Sequence, residues 1–186
     1  TLQASVLDQM EQRPELVVLD TMNFWMDIAL EPLKAVIARV DVLTINDEEA
    51  RQLSGERSLM KAARAVLKMG PRYLVIKKGE HGALLFHMEG EEIRYFFCPA
   101  LPLEDVVDPT GAGDTFAGGF IGHVARKGST DFETLKQAVV VGSALASFTC
   151  EAFGTDGIRS VNPMEIEERI ASFRRMTDWK REQVEA

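Results

Sequence analysis

Val107-Asp108-Pro109-Thr110-Gly111-Ala112-Gly113-Asp114-Thr115-Phe116, continued by Ala117-Gly118-Gly119-Phe120-Ile121-Gly122, is the stretch from which the rest of the chain can be read. Pro109 and Gly111 do not belong in the interior of a regular helix. Phe116, Phe120, Ile121 and Val124 recur at helical spacing, which predicts a helix beginning close to Gly113. The first amides of such a helix have no intrahelical partner, so its positive end attracts an anion, and glycine lets the backbone approach a phosphate closely. Asp114 then faces the anion. A carboxylate there would repel a phosphate that was merely bound, so a chemical task suits Asp114 better than simple binding. It can take a proton from an attacking hydroxyl while fixed backbone dipoles meet the charge spread over a transferred phosphoryl group. The same local pattern is also that of an ordinary capped helix, because acidic residues are common in a first turn.

The full string Asp108-Pro109-Thr110-Gly111-Ala112-Gly113-Asp114-Thr115-Phe116 closely resembles the C-terminal signature of the ribokinase-like (PfkB) family of carbohydrate and nucleoside kinases. The resemblance implies that Asp114 is the catalytic base and that the amides of Gly111, Ala112, Gly113 and Asp114 form the anion hole for the transferred phosphate. It implies ATP with Mg²⁺ as the phosphoryl donor and a hydroxyl of a sugar or nucleoside as the acceptor. By the same resemblance, Asp108 and Thr110 help to hold a monovalent cation, K⁺ in the potassium-activated members.

Composition bounds the remaining classes. The 186 residues are 46% hydrophobic, enough for one α/β domain with a sizeable core. The net charge is −8, with no basic run of five or more residues, which argues against nucleic acid as a partner. Cys98 and Cys150 are too few and too far apart for a disulfide framework or a zinc site, and three scattered histidines make no metal cluster. No apolar run reaches the roughly 20 residues that a membrane span requires, and the polar start from Thr1 to Gln12 is no signal peptide. The expectation is a cytoplasmic protein without membrane contact. The chain opens on Thr1 and already reaches the signature at Asp108, which predicts a fragment. Residues 1–175 resemble the C-terminal, nucleotide-binding and catalytic part of a ribokinase-like kinase, and 176–186 form a charged tail. The family's N-terminal portion, with its β-sheet lid, has no counterpart here, and homodimerisation is a property to expect only of the full-length enzyme.

Taken in order, Leu2 to Arg13 has a weak helical pattern, and Leu16-Val17-Val18-Leu19-Asp20 is a short apolar run suited to a buried parallel strand. Asp20 and Asn23 fall at its C-terminal end, where open α/β sheets place ligands. They resemble the D-x-x-N or D-x-N segment of family members and are candidates for the substrate or phosphate side, although a polar loop with Asx turns has the same look. Ile28 to Val40 gives a helix face, with Pro32 near its start, and Asp41 to Ile45 the next strand, completing a βαβ unit. Asn46-Asp47-Glu48-Glu49 reads as a helix start with a capping box. Within the resemblance, Asn46 and Glu49 match the N-x-x-E motif that organises Mg²⁺ and water around the phosphates, and the two readings are compatible.

Ser58 to Met69 predicts a helix stopped by Gly70-Pro71, and Arg72 to Ile76 a strand. Lys77-Lys78-Gly79-Glu80-His81-Gly82 is a turn before the strand Ala83 to Phe86; it resembles the nucleotide-phosphate turn of the family through Lys77, Gly79 and Gly82. Neither a dinucleotide fingerprint nor a Walker loop occurs. Glu89 to Glu92 predicts a polar turn into Ile93–Phe97, so an antiparallel hairpin should edge the sheet. Each of Gly118, Gly119 and Gly122 weakens its helix by about 1 kcal/mol relative to alanine, which calls for a close neighbour. Phe132 to Thr149, small and apolar on nearly every face, supplies a buried helix. By resemblance, Ser143, Ser147 and Gly154 on that helix and the loop after it are candidates near the adenine. Asn162-Pro163 begins the last helix.

The fold expected is therefore a three-layer α/β domain with a mostly parallel sheet. The function expected of the parent enzyme is ATP-dependent phosphorylation of a sugar or nucleoside hydroxyl. The alternatives are a truncated nucleotide-binding module without catalysis and a doubly wound domain for another phosphorylated ligand.

Overall fold

The computed structural model describes residues 2–178. One sheet carries five strands in the spatial order β1 (Val18–Asp20), β2 (Val42–Asn46), β3 (Tyr73–Lys77), β4 (Ala83–Glu89) and β5 (Glu92–Cys98). β1, β2 and β3 pair in parallel, while β4 is antiparallel to both β3 and β5, so four of the five strands run the same way. The expected hairpin is thus the antiparallel edge of a mostly parallel sheet.

Side chains along the central strands are apolar on both faces because both faces are covered. Leu43, Ile45, Leu74, Ile76 and Phe86 point to one core, shared with α2 (Asn23–Ile28), α3 (Leu30–Ile37), α4 (Asp47–Ser54) and α5 (Leu59–Leu67). Their neighbours Val42, Tyr73, Val75 and Leu85 point to a second core under α6 (Ala112–Lys127), α7 (Phe132–Cys150) and Phe173 of α9 (Pro163–Thr177). The alternation along β3, from Tyr73 to Ile76, is the two-residue strand period feeding two helical layers. Full burial of each such aliphatic side chain contributes about 1.5–3 kcal/mol. Three layers result, as the sequence predicts. α1 (Leu2–Asp8) and the short α8 (Asp156–Arg159) complete the α-helices among the described residues.

Local chemistry explains several boundaries. Pro32 lies in the first turn of α3, where its missing N–H removes no intrahelical bond, so it begins the helix instead of breaking it. α4 opens on the predicted capping box, with Asn46 Oδ1 accepting from the Glu49 N–H at 2.8 Å and Glu49 Oε2 accepting from the Asn46 N–H at 2.7 Å. α9 continues through Met176 and Thr177, two residues into the stretch expected as a charged tail; residues 179–186 lie outside the described part.

Among the three glycines expected to admit a neighbouring helix, only Gly119 does so. A Cβ built there would stand 2.7 Å from Leu145 Cδ1 and 3.1 Å from the Cα of Gly142. Gly142 answers from α7, where a Cβ would meet the Phe116 carbonyl at 2.7 Å, so α6 and α7 touch backbone to backbone. Gly118 and Gly122 meet nothing, because their places on the helix turn them away from α7. Gly118 instead borders a groove of about 410 Å³ beside Val18 and Asp20. Among the described residues no helix is long and apolar enough to cross a membrane.

Candidate active site

Residues 107–116 enter α6 through Gly111, the N-cap, at φ +83°. The Ala112 N–H donates to the Pro109 carbonyl at 3.1 Å, and the Thr115 N–H to the Gly111 carbonyl at 2.9 Å, where the helical ladder starts. Among the described residues the amides of Gly111, Gly113 and Asp114 make no such bond. The set of amides open to an anion is therefore narrower than expected, since that of Ala112 is already engaged. Asp114 sits in this first turn with its side chain exposed. The turn is held in place by α7. The Val107 and Asp108 N–H groups both donate to the Cys150 carbonyl, at 2.8 and 3.3 Å, and Thr149 Oγ1 donates to Thr115 Oγ1 at 2.9 Å. Asp108 Oδ1 accepts from the Thr110 N–H at 2.9 Å, which holds its carboxyl below the usual range. The tethering roles of the Thr115 hydroxyl and the Cys150 carbonyl have no signal in the sequence, because a tether between helices leaves no local pattern.

Asp20, Asn46 and Lys77 are the last residues of β1, β2 and β3, three adjacent parallel strands, so the sheet delivers them side by side. Lys77 Nζ lies 2.9 and 3.1 Å from the two carboxylate oxygens of Asp20, reaching across the end of β2. It also lies 3.4 Å from the position that a Cβ would take on Gly113. Strand ends and signature helix thus meet at this ammonium. Glu49, only 7% exposed, stands in the first turn of α4. Burial pushes its carboxyl above the ordinary range, against the pull of the Asn46 N–H and the Lys77 charge; the Asn23 N–H also acts on it. The side chain of Asn23 is engaged locally, its Oδ1 accepting from the Phe24 N–H at 2.9 Å. The Glu49 carboxylate and the Asn46 amide oxygen are oxygen ligands, the kind that a hard cation such as Mg²⁺ takes.

The glycine turn after β3 closes on itself, the Lys78 N–H donating to the Gly82 carbonyl at 2.7 Å. Gly82 has φ +84°, and a Cβ on it would stand 2.1 Å from the Cys98 carbonyl, so only glycine lets the turn seat against the exit of β5. Gly79 faces open space. Lys77 was expected to serve this turn; its ammonium points instead to Asp20. The Ser143 hydroxyl accepts from the Cys98 thiol at 3.8 Å and so lies below the same end of β5. Burial raises that thiol to about 11. Ser147 is turned elsewhere, its hydroxyl donating to the Ala144 carbonyl and accepting from Arg169 of α9, both at 2.6 Å. Gly154 lies in the turn before α8 with nothing near its Cβ position. Asp20, Asn23, Asn46, Glu49, Lys77 and Gly113 are therefore gathered at one end of the sheet, and Ser147 is not among them.

The chain is 38% identical over 96 residues to the cytidine kinase of Thermococcus kodakarensis, covering 50% of this chain and 33% of that protein. It is 34% identical over 117 residues to the aminoimidazole riboside kinase of Salmonella typhimurium, covering 63% and 35%. The crystal structure of aminoimidazole riboside kinase from Salmonella enterica, complexed with aminoimidazole riboside and an ATP analog, superposes with a TM-score of 0.70 at 27% identity. That match covers 84% of this chain and 52% of the other. The chain thus spans about a third of the length of these curated relatives and about half of the matched structure. Residues 4–160 match the family described as pfkB family carbohydrate kinase, and the chain, with its signature helix set against three strand ends, belongs to that family.

Proposed function

We propose that the complete protein carrying this chain transfers the γ-phosphoryl group of ATP to a hydroxyl of a sugar or nucleoside. The observation that carries the proposal is the exposed Asp114 in the first turn of α6, beside unpaired amides and with the Lys77 ammonium against Gly113. Asp114 accepts the proton of the acceptor hydroxyl as its oxygen attacks the γ-phosphorus and the bond to the β–γ bridging oxygen breaks, releasing ADP. The amides of Gly111, Gly113 and Asp114 meet the charge on the transferred group, where preorganised dipoles need no rearrangement. Asn46 and Glu49 would organise Mg²⁺ through water, and the ion when bound would supply neutralisation of phosphate charge. The 79–82 turn would lie along the polyphosphate, Ser143 and Gly154 would border the nucleotide, and Asp108 with Thr110 would hold a monovalent cation. Two relatives whose names place them on nucleosides or ribosides support the acceptor class.

Asp114→Asn in the complete protein is expected to lower turnover by about 100-fold or more, the size of a general-base contribution, with little change in Mg·ATP affinity. Steady-state kinetics with calorimetric binding checks this. Undiminished turnover would remove Asp114 from the mechanism.

A further inference from the structure

Lys77 stands in an electrostatically awkward place. Its ammonium abuts Gly113 at the start of α6, where the open amides already carry the positive end of the helix dipole. A flexible lysine stem so placed would swing into solvent unless something held it. Asp20 holds it, through both carboxylate oxygens, from the end of a strand and with only 30% of its side chain exposed. Two of the three donors of the ammonium are then directed at Asp20, and among the described residues the third has no partner.

Resting on the proposed phosphoryl transfer, we infer that Asp20 is a positioning residue whose carboxylate holds the Lys77 ammonium over the anion hole at the N-terminus of α6. The incoming terminal phosphate then meets amides and an ammonium that are already in place, and the free donor of Lys77 is the one it takes. Asp20 acts on the donor side of the reaction through Lys77 and makes no contact with the acceptor.

The test is a double-mutant cycle on the complete protein, with Asp20→Asn, Lys77→Gln and the pair. Calorimetry reads the binding of Mg²⁺ with a hydrolysis-resistant imido analogue of ATP, and separately with ADP. Asp20→Asn is expected to weaken the triphosphate by about tenfold and the diphosphate by less than about threefold, and to add less than about twofold once Lys77 is gone. Multiplicative losses, equal losses for tri- and diphosphate, or no loss would each overturn the inference. Asp20→Glu, which keeps the charge on a longer stem, should retain triphosphate binding to within about threefold; a loss as large as that of Asp20→Asn would count against it. Because only binding is read, the cycle can be run in an Asp114→Asn background, where failure of the transfer proposal does not touch it.

Discussion

Asn46-Asp47-Glu48-Glu49 at the head of α4 and Asn162-Pro163-Met164-Glu165 at the head of α9 are built alike. In each, the asparagine Oδ1 accepts from the N–H of the glutamate three residues on, and the glutamate carboxylate accepts from the asparagine N–H, at 2.8 and 2.7 Å in the first and 3.1 and 2.8 Å in the second. Yet Glu165 lies on the surface, while Glu49 is buried behind Lys77 and Asp20 at the ends of three strands. The motif N-x-x-E is therefore a helix start first, and what stands in front of it decides whether it can also serve a phosphate site. Sheet topology supplies that difference, by ending β1, β2 and β3 on Asp20, Asn46 and Lys77.

The sharpest way to break this comparison is to neutralise the two glutamates in parallel. Glu49→Gln in the complete protein should lower kcat by about 10- to 100-fold, the range for residues that orient a metal and its waters, and raise the Mg²⁺ concentration needed for half-maximal rate. Glu165→Gln should leave both unchanged. Equal effects, or none from Glu49→Gln, would reduce both boxes to caps.

The framework of this arrangement was legible in the sequence, and the pairings within it were not. Strand runs such as Asp41 to Ile45 and Arg72 to Ile76 stand within one residue of β2 and β3, because short continuous apolar runs between polar turns suit buried strands. Asp114 at a helix start and the Asn46–Glu49 capping box could be singled out because such patterns span a few consecutive residues, and the metal role of Asn46 and Glu49 was suggested only by the family resemblance. Lys77 shows the limit. Its neighbours in sequence are Lys78 and Gly79, which pointed to the glycine turn; its neighbour in space is Asp20, 57 residues earlier, reached only once strand order and register are known. Gly118 and Gly122 show another, since composition cannot say which side of a helix will be covered. Ser147 looked free for a ligand because the residue that occupies it, Arg169, comes from a helix 22 residues later.

A smaller effect tests the likeness of the two boxes instead of their difference. Asn46→Ala and Asn162→Ala each remove a side-chain acceptor at a helix start and should each cost about 1 kcal/mol of stability, read as a lower midpoint in urea. Near-equal losses would show that the caps are equivalent as local structure. A far larger loss for Asn46→Ala would mean that its capping is inseparable from the buried cluster around Glu49.

Burial is what separates the two glutamates, and pH should expose it with the smallest effect of the three. The Glu49 carboxyl is raised above its ordinary value of 4.5, with burial as the largest cause. A carboxyl raised on folding binds its proton more readily in the native state than in the unfolded one, so its contribution to stability is fully present below the unfolded value and is lost as pH rises through the folded one. Glu49→Gln keeps the amide oxygen as an acceptor for the Asn46 N–H but never ionises. In metal-free buffer, urea denaturation from about pH 4 to about pH 7 should therefore show the variant gaining on the unmodified protein as pH climbs. Added Mg²⁺ should reverse the trend, because the cation favours the ionised carboxylate that burial disfavours. A gap that stays flat, or moves the other way, would mean that the Asn46 N–H and the Lys77 ammonium outweigh burial, leaving Glu49 stable as a carboxylate before any metal arrives.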